Sequence, residues 1–297
     1  MSVTLDSFNK YDINPRNVGG KFTSDEVSAN NAAFTKTFIE ADRNVQLEIL
    51  KKMTPEAKQR LFESLKKHYA CAGDQRSKER SEQALIITGA DMINSQPGSN
   101  FRDISINVMR FMGNNLDYIS GAIDSVKENG TKPPTSRDAC EFSVGEVLLE
   151  GNYNGCVEAA KVFQALFNEA AAQKGSSARA EYVSAFDTDY TDPAYISSHK
   201  DQPGHALVEI RLGNETFLMD TSRCDDGSFR MSERPTFDEL EKRMIINHQD
   251  ANNEYSIPTN EGIKKLHIFN RGMIFKTETE ATAATKSAAK DHYLKRK

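Results

Sequence analysis

Tryptophan is absent from the 297 residues, and only four cysteines occur, Cys71, Cys140, Cys156 and Cys224. So few scattered cysteines exclude a disulfide-stapled scaffold. With no CxxC pair, a structural zinc site has nothing to build on. Long apolar runs are missing too. No stretch reaches the roughly 18 residues of a membrane span, and residues 1–30 lack the apolar segment of a secretory signal. Neither sign of charge dominates, the net value being −5, so neither nucleic acid nor an anionic membrane is the expected partner. What is present is a chain with 38% apolar and 27% charged residues, long enough to bury a real core. It reads as a reduced, cytoplasmic-type protein, or one exported by a route that needs no signal peptide.

Local signals divide the chain into four stretches. Residues 1–23, with Asn14-Pro15 and Gly19-Gly20, predict a flexible N-terminal arm. Residues 24–128 predict a helical region: one helix over Phe38–Met53, one opened by Thr54-Pro55, and two near Lys78–Ile93 and Ile104–Lys127. In the second of these, Ala57, Leu61, Leu65 and Tyr69 recur at intervals of four and form one apolar stripe. Gly130–Pro134 then breaks the pattern. Residues 129–276 mix helix and strand. A short helix, Phe142–Glu150, is followed by a tight loop, Gly151–Gly155, and a helix from Cys156 to Gln173 that ends at Gly175. A strand over Arg179–Phe186 comes next, and then a polar loop, Asp187–Pro203. The hairpin His205–Leu212 with Glu215–Asp220 turns at Gly213-Asn214, and a last strand covers Lys265–Phe275. Residues 277–297, with few large apolar side chains, predict a disordered tail.

Cys156 opens its helix straight after a glycine. A helix N-terminus carries partial positive charge and free N–H groups, which favour thiolate over thiol and can hold an oxyanion. Behind it Ala160, Phe163, Phe167 and Ala170 form a stripe that anchors the helix in the core. The two-residue turn places Leu212 opposite Glu215. Counting back, His205 faces Ser222, with Asp220 one diagonal step away on the same side. Val208, Ile210, Phe217 and Met219 collect on the other side as the core face. Taken singly, each of the three has an ordinary structural explanation: a buried small cysteine, a strand-edge histidine, an aspartate capping a turn. Taken together they supply a nucleophile, a base and its orienting carboxylate. Zinc-type ligation by the same three residues is the rival reading; the expectation is no metal and no cofactor. Cys71 and Cys140 read as structural. Cys224 lies near Asp220 in sequence, and His199 falls in the polar loop.

The run Glu146-Val-Leu-Leu-Glu-Gly-Asn-Tyr-Asn-Gly-Cys156-Val-Glu-Ala-Ala-Lys-Val-Phe-Gln-Ala-Leu resembles the nucleophile helix of the transglutaminase-like superfamily. Gly204-His205-Ala206-Leu207-Val208-Glu209-Ile210 resembles that family's histidine strand, and Phe217-Leu218-Met219-Asp220-Thr221 its aspartate strand. The order Cys, His, Asp also fits, and the likeness covers about residues 104–225. It implies an α+β fold: a papain-like transglutaminase core, here preceded by an α-helical N-terminal region. It implies a catalytic triad of Cys156, His205 and Asp220 acting on a protein or peptide substrate. The family often completes its oxyanion hole with an aromatic or amide side chain, for which Asn152 and Asn154 are the candidates.

The resulting expectation is a thiol enzyme that cleaves peptide or side-chain amide bonds through a thioester, as a cysteine peptidase, amidase or deamidase. Amine transfer, as in a transglutaminase, uses the same acyl-enzyme. Two readings of another kind stand beside it: a catalytically inactive interaction module, and a bacterial effector delivered into host cells. Substrate identity and oligomeric state are not written in the sequence.

Overall fold

The computed structural model describes residues 24–118, 140–153, 155–188, 204–221, 244–246, 254–259 and 262–296. The expected arm at 1–23, the break at Gly130–Pro134 and most of the polar loop before Gly204 lie outside the described residues. So do Asn154, His199, Ser222 and Cys224.

Five helices come first: α1 (Ser24–Glu40), α2 (Arg43–Lys52), α3 (Pro55–Cys71), α4 (Gln75–Asn94) and α5 (Phe101–Asn115). Each of α3, α4 and α5 starts at a side-chain cap. Thr54 accepts from the Ala57 N–H, Asp74 from Ser77 and Asn100 from Asp103, each cap being worth about 1 kcal/mol. The stripe Ala57, Leu61, Leu65 and Tyr69 is buried, as its spacing requires. Two helices differ from the sequence-based expectation. The helix predicted over Phe38–Met53 is broken between Glu40 and Arg43, because Asp42 adopts the extended conformation of a new N-cap. The helix predicted to reach Lys127 ends at Asn115; Leu116 is extended and leads into a two-residue strand, β1 (Asp117–Tyr118).

After residue 139 come α6 (Val144–Glu150), β2 (Asn152–Tyr153) and α7 (Cys156–Gln173). The C-terminus of α7 closes with Ser176 N–H on the Ala171 carbonyl and Gly175 N–H on the Ala172 carbonyl. Gly175 there takes the left-handed conformation, φ 68°. The remaining strands are β3 (Arg179–Asp187), β4 (Gly204–Leu212), β5 (Glu215–Met219), β6 (Met244–Ile246), β7 (Glu254–Thr259) and β8 (Gly262–Arg271), followed by α8 (Glu278–Arg296). They form a six-stranded antiparallel sheet in the order β6-β5-β4-β3-β8-β7, while β1 and β2 pair in parallel on their own. The architecture is therefore α+β. The hairpin register is the expected one, Leu212 opposite Glu215 and Val208 opposite Met219. Gly213 supplies the positive φ of 59° that its tight turn needs.

Alternation sorts the sheet's side chains onto two faces. Ala180, Tyr182, Ala206, Val208, Ile210, Phe217 and Met219 join α7 and helices α1–α6 in one continuous core. Val183, Ala185, Leu207, Leu218, Leu266 and Ile268 form a second cluster on the reverse face. Apolar residues from both sides of residue 128 thus share one core: Leu85, Ile87 and Met112 are packed with Phe163, Leu166 and Phe167. Arg43 adds a bidentate pair to Glu169 on α7.

The expected disordered tail is corrected by α8. Its Ala, Glu and Lys content favours helix intrinsically, and Thr285 and Ala289 are buried, which supplies the packing that composition alone concealed. The strand predicted to reach Phe275 instead ends at Arg271, where Gly272 turns the chain with φ 74°. Among the described residues, no helix is long and apolar enough to cross a membrane.

Candidate active site

The segment leading to Cys156 is held from several sides. Ser143 and Glu146 form a reciprocal capping box at the start of α6. Ser143 Oγ also meets Tyr69 Oη of α3 at 2.8 Å. Glu82 of α4 accepts the Gly145 N–H at 2.8 Å, placing carboxylate charge at a helix N-terminus, where it is favoured. Lys161, on α7, donates to the Cys140 and Phe142 carbonyls at 2.7 and 2.8 Å. Gly151 ends α6 in the left-handed conformation, and the loop beyond it is stitched to β1 through Asp117–Asn152 and Tyr118–Tyr153 pairing.

This route delivers Cys156 to the first turn of α7. Gly155 is the N-cap; it has no side chain to cap with, and among the described residues a Cβ placed there would meet nothing within 4 Å. The N-cap residue therefore leaves the first N–H groups of the helix without a side-chain acceptor of its own. Cys156 itself is half-buried and packs against the main core.

On the sheet, β5 leaves the ladder after Met219 pairs with Val208. The ladder ends there. The Ala206 N–H donates to Cys156 Sγ at 3.4 Å, and His205 Nε2 lies 2.9 Å from Asp220 Oδ2. His205 and Asp220 are thus in contact, as expected, although the ladder that carries the turn's register ends at Val208–Met219. Cys156 and His205 lie close enough for each to shift the other's titration. Since Asp220 occupies Nε2, Nδ1 is the nitrogen that can face the thiol. The imidazole is 28% exposed and the carboxylate 14%, so solvent reaches the pair.

Electrostatics follow from these contacts. Burial pushes the Cys156 thiol up, but the hydrogen bond and charge of His205, with the Ala206 N–H, outweigh it and the net direction is down. Burial lowers His205. The charge of Asp220, its hydrogen bond and the contact with Cys156 overcome that, leaving the imidazole well above its ordinary value. Both shifts favour a thiolate beside an imidazolium.

Of the other candidates, Asn152 contributes backbone to β2 and Asn154 lies outside the described residues, so neither amide is located. Cys71 is exposed and Cys140 buried. Among the described residues no group of three or more His, Cys, Asp or Glu side chains converges as a metal site. Asp220 occupies His205 Nε2, which leaves Nδ1 as the ring nitrogen for proton exchange with a thiol.

Two features escaped the sequence reading. The Ala206 N–H is a backbone donor to the thiol, at a position beyond the end of the β4–β5 ladder. Tyr182, buried on the α7 face of β3, has its phenol pushed up to about 12 by burial, with the charges of Cys156 and Cys140 adding to the rise. It remains a protonated O–H in the electrostatic reach of the thiol. Its place on the α7 face, two residues from Ala180 on a strand of period two, was the only available signal.

No family model, curated protein or solved structure matches the chain.

Proposed function

We propose that the protein is a thiol enzyme of transglutaminase-like type, built on a papain-like core, that hydrolyses peptide or side-chain amide bonds. The observation that carries this reading is the gathering of three residues at one end of the hairpin: Cys156 Sγ takes the Ala206 N–H, and the adjoining His205 pairs with Asp220.

In this reading the Cys156 thiolate attacks the amide carbonyl. The oxyanion that forms is held by N–H groups of the first turn of α7, which no side chain of Gly155 occupies. His205, charged at the start, gives its proton to the departing amine, and a thioester remains on Cys156. Water then attacks the thioester with His205 as base, releasing the acid and restoring the thiolate. Asp220 fixes the ring through Nε2 and stabilises its charged form. The exposure of His205 supports water as the acceptor. A peptide amide makes the protein a peptidase; a glutamine or asparagine side chain makes it a deamidase.

The test is intact-mass spectrometry of protein mixed with a peptide library and quenched in acid. An acyl adduct on Cys156, absent in Cys156→Ser, accompanied by new peptide termini or by +1 Da products supports the reading. A fluorescent primary amine in the same mixture reports amine transfer instead. Stable binding of peptides with no adduct and no product in either protein would favour an interaction module.

A further inference from the structure

The C-terminal helix lies on the same side of the sheet as α7. Gly204 and Phe186 are cross-strand partners in an unbroken stretch of ladder, and by alternation they share the face of Tyr182 and Ala206. On that face Phe186 stands edge-on to His292 of α8, with centroids 5.5 Å apart, and tilts against His267 of β8 at 5.1 Å. His267 and His292 themselves lie 4.6 Å apart. Ala289 is fully buried and Thr285 is 5% exposed. Helix α8 is therefore seated across three strands at one end of the sheet, the end where β4 begins.

Gly204 lies directly against Thr285 of the helix. A Cβ added there would lie 3.0 Å from Thr285 Oγ1 and 3.2 Å from Thr285 Cγ2, yet at an ordinary 3.6 Å from Thr285 Cβ. Its φ is not in the left-handed region, so the backbone does not demand glycine; the helix does. The next two residues are His205, which holds Asp220, and Ala206, whose N–H holds the Cys156 sulfur.

We propose that α8 is a positioning element for the candidate site: Thr285, seated on Gly204, holds the start of β4 so that His205 and the Ala206 N–H stay registered on Cys156. Gly204 and Thr285 are positioning residues, not catalytic ones. The inference rests on Cys156 being the activated nucleophile. It gives the C-terminal helix a role that its composition does not suggest.

The test uses the full chain and iodoacetamide, with alkylation of Cys156 followed by mass spectrometry across pH. Gly204→Ala sets a methyl 3.0 Å from Thr285 Oγ1, a contact relieved by a shift of a few tenths of an ångström, and is expected to slow alkylation at neutral pH several-fold, up to about tenfold, where a misplacement of about 1 Å costs about a hundredfold. It is also expected to move the acid limb of the rate profile toward that of an ordinary thiol. Adding Thr285→Ala removes both close atoms and is expected to restore rate and limb. Ala289→Asp undocks α8 without touching the sheet and is expected to reproduce the loss, with hydrogen exchange reporting the released helix. If folded Gly204→Ala or Ala289→Asp protein keeps the wild-type rate and limb, α8 is packing only and the inference is overturned. If wild-type Cys156 is no faster than Cys71, the functional reading itself fails and this one falls with it.

Discussion

Replacing Asp220 by asparagine removes one charge and almost no volume, at a site 2.9 Å from His205 Nε2. The carboxylate charge is the leading influence that raises the imidazole against its burial. Without it burial dominates, the ring loses its proton at lower pH, and the thiolate loses its cationic neighbour. A hydrogen bond to a charged group contributes about 1.5–3 kcal/mol. At roughly 1.4 kcal/mol per factor of ten, the population of the reactive pair falls about ten- to a hundredfold. The assay is the pH dependence of Cys156 alkylation. In the wild type the alkylation rate is expected to rise through an acid limb below the ordinary thiol value, set by Cys156 coupled to His205. Asp220→Asn is expected to lower the rate near neutral pH and move that limb up toward the ordinary thiol value. A folded Asp220→Asn protein with the wild-type rate and limb would refute the role given to this carboxylate.

Stability should carry the same signature. A histidine raised on folding stabilises fully below its unfolded value, and that contribution is lost as pH rises through the folded value. The Tm deficit of His205→Gln is therefore expected to be largest in mild acid and to vanish at alkaline pH; a constant deficit would mean a packing effect alone. Leu85 is fully buried in the core shared with α7, so Leu85→Ala is expected to cost about 2–5 kcal/mol in denaturant unfolding. Removing residues 1–100 is expected to abolish soluble protein, whereas a gain of activity would mark those helices as an inhibitory segment. Ser143→Ala breaks the capping box and leaves Tyr69 without its 2.8 Å partner. Its expected cost is about 1 kcal/mol, read as a lower denaturation midpoint.

Much of the site was legible because it is built from local signals. A glycine before a cysteine at the head of an apolar stripe marked α7 at its observed bounds, Cys156–Gln173. A Gly-Asn turn set the hairpin register through Val208–Met219, and extending it anticipated the His205–Asp220 contact that lies beyond the ladder's end. Legibility failed where structure depends on distant contacts. The break at Asp42 carries no glycine or proline to announce it. The helix α8 has no strong apolar stripe, and its order comes from Thr285 and Ala289 meeting the sheet. The strands β6 and β7 were not anticipated; three and six residues long, they are defined by their neighbours β5 and β8. The Ala206 N–H is a backbone donor beyond the end of the β4–β5 ladder, a position that no side-chain pattern announces.

The most direct test of the central claim compares alkylation of the four cysteines by iodoacetamide near neutral pH in wild type, Cys156→Ser and His205→Ala. The account predicts that Cys156 reacts far faster than Cys71, Cys140 and Cys224, and that His205→Ala removes the excess while the protein stays folded. Equal reactivity of all four, or an inert Cys156 in the folded wild type, would contradict it.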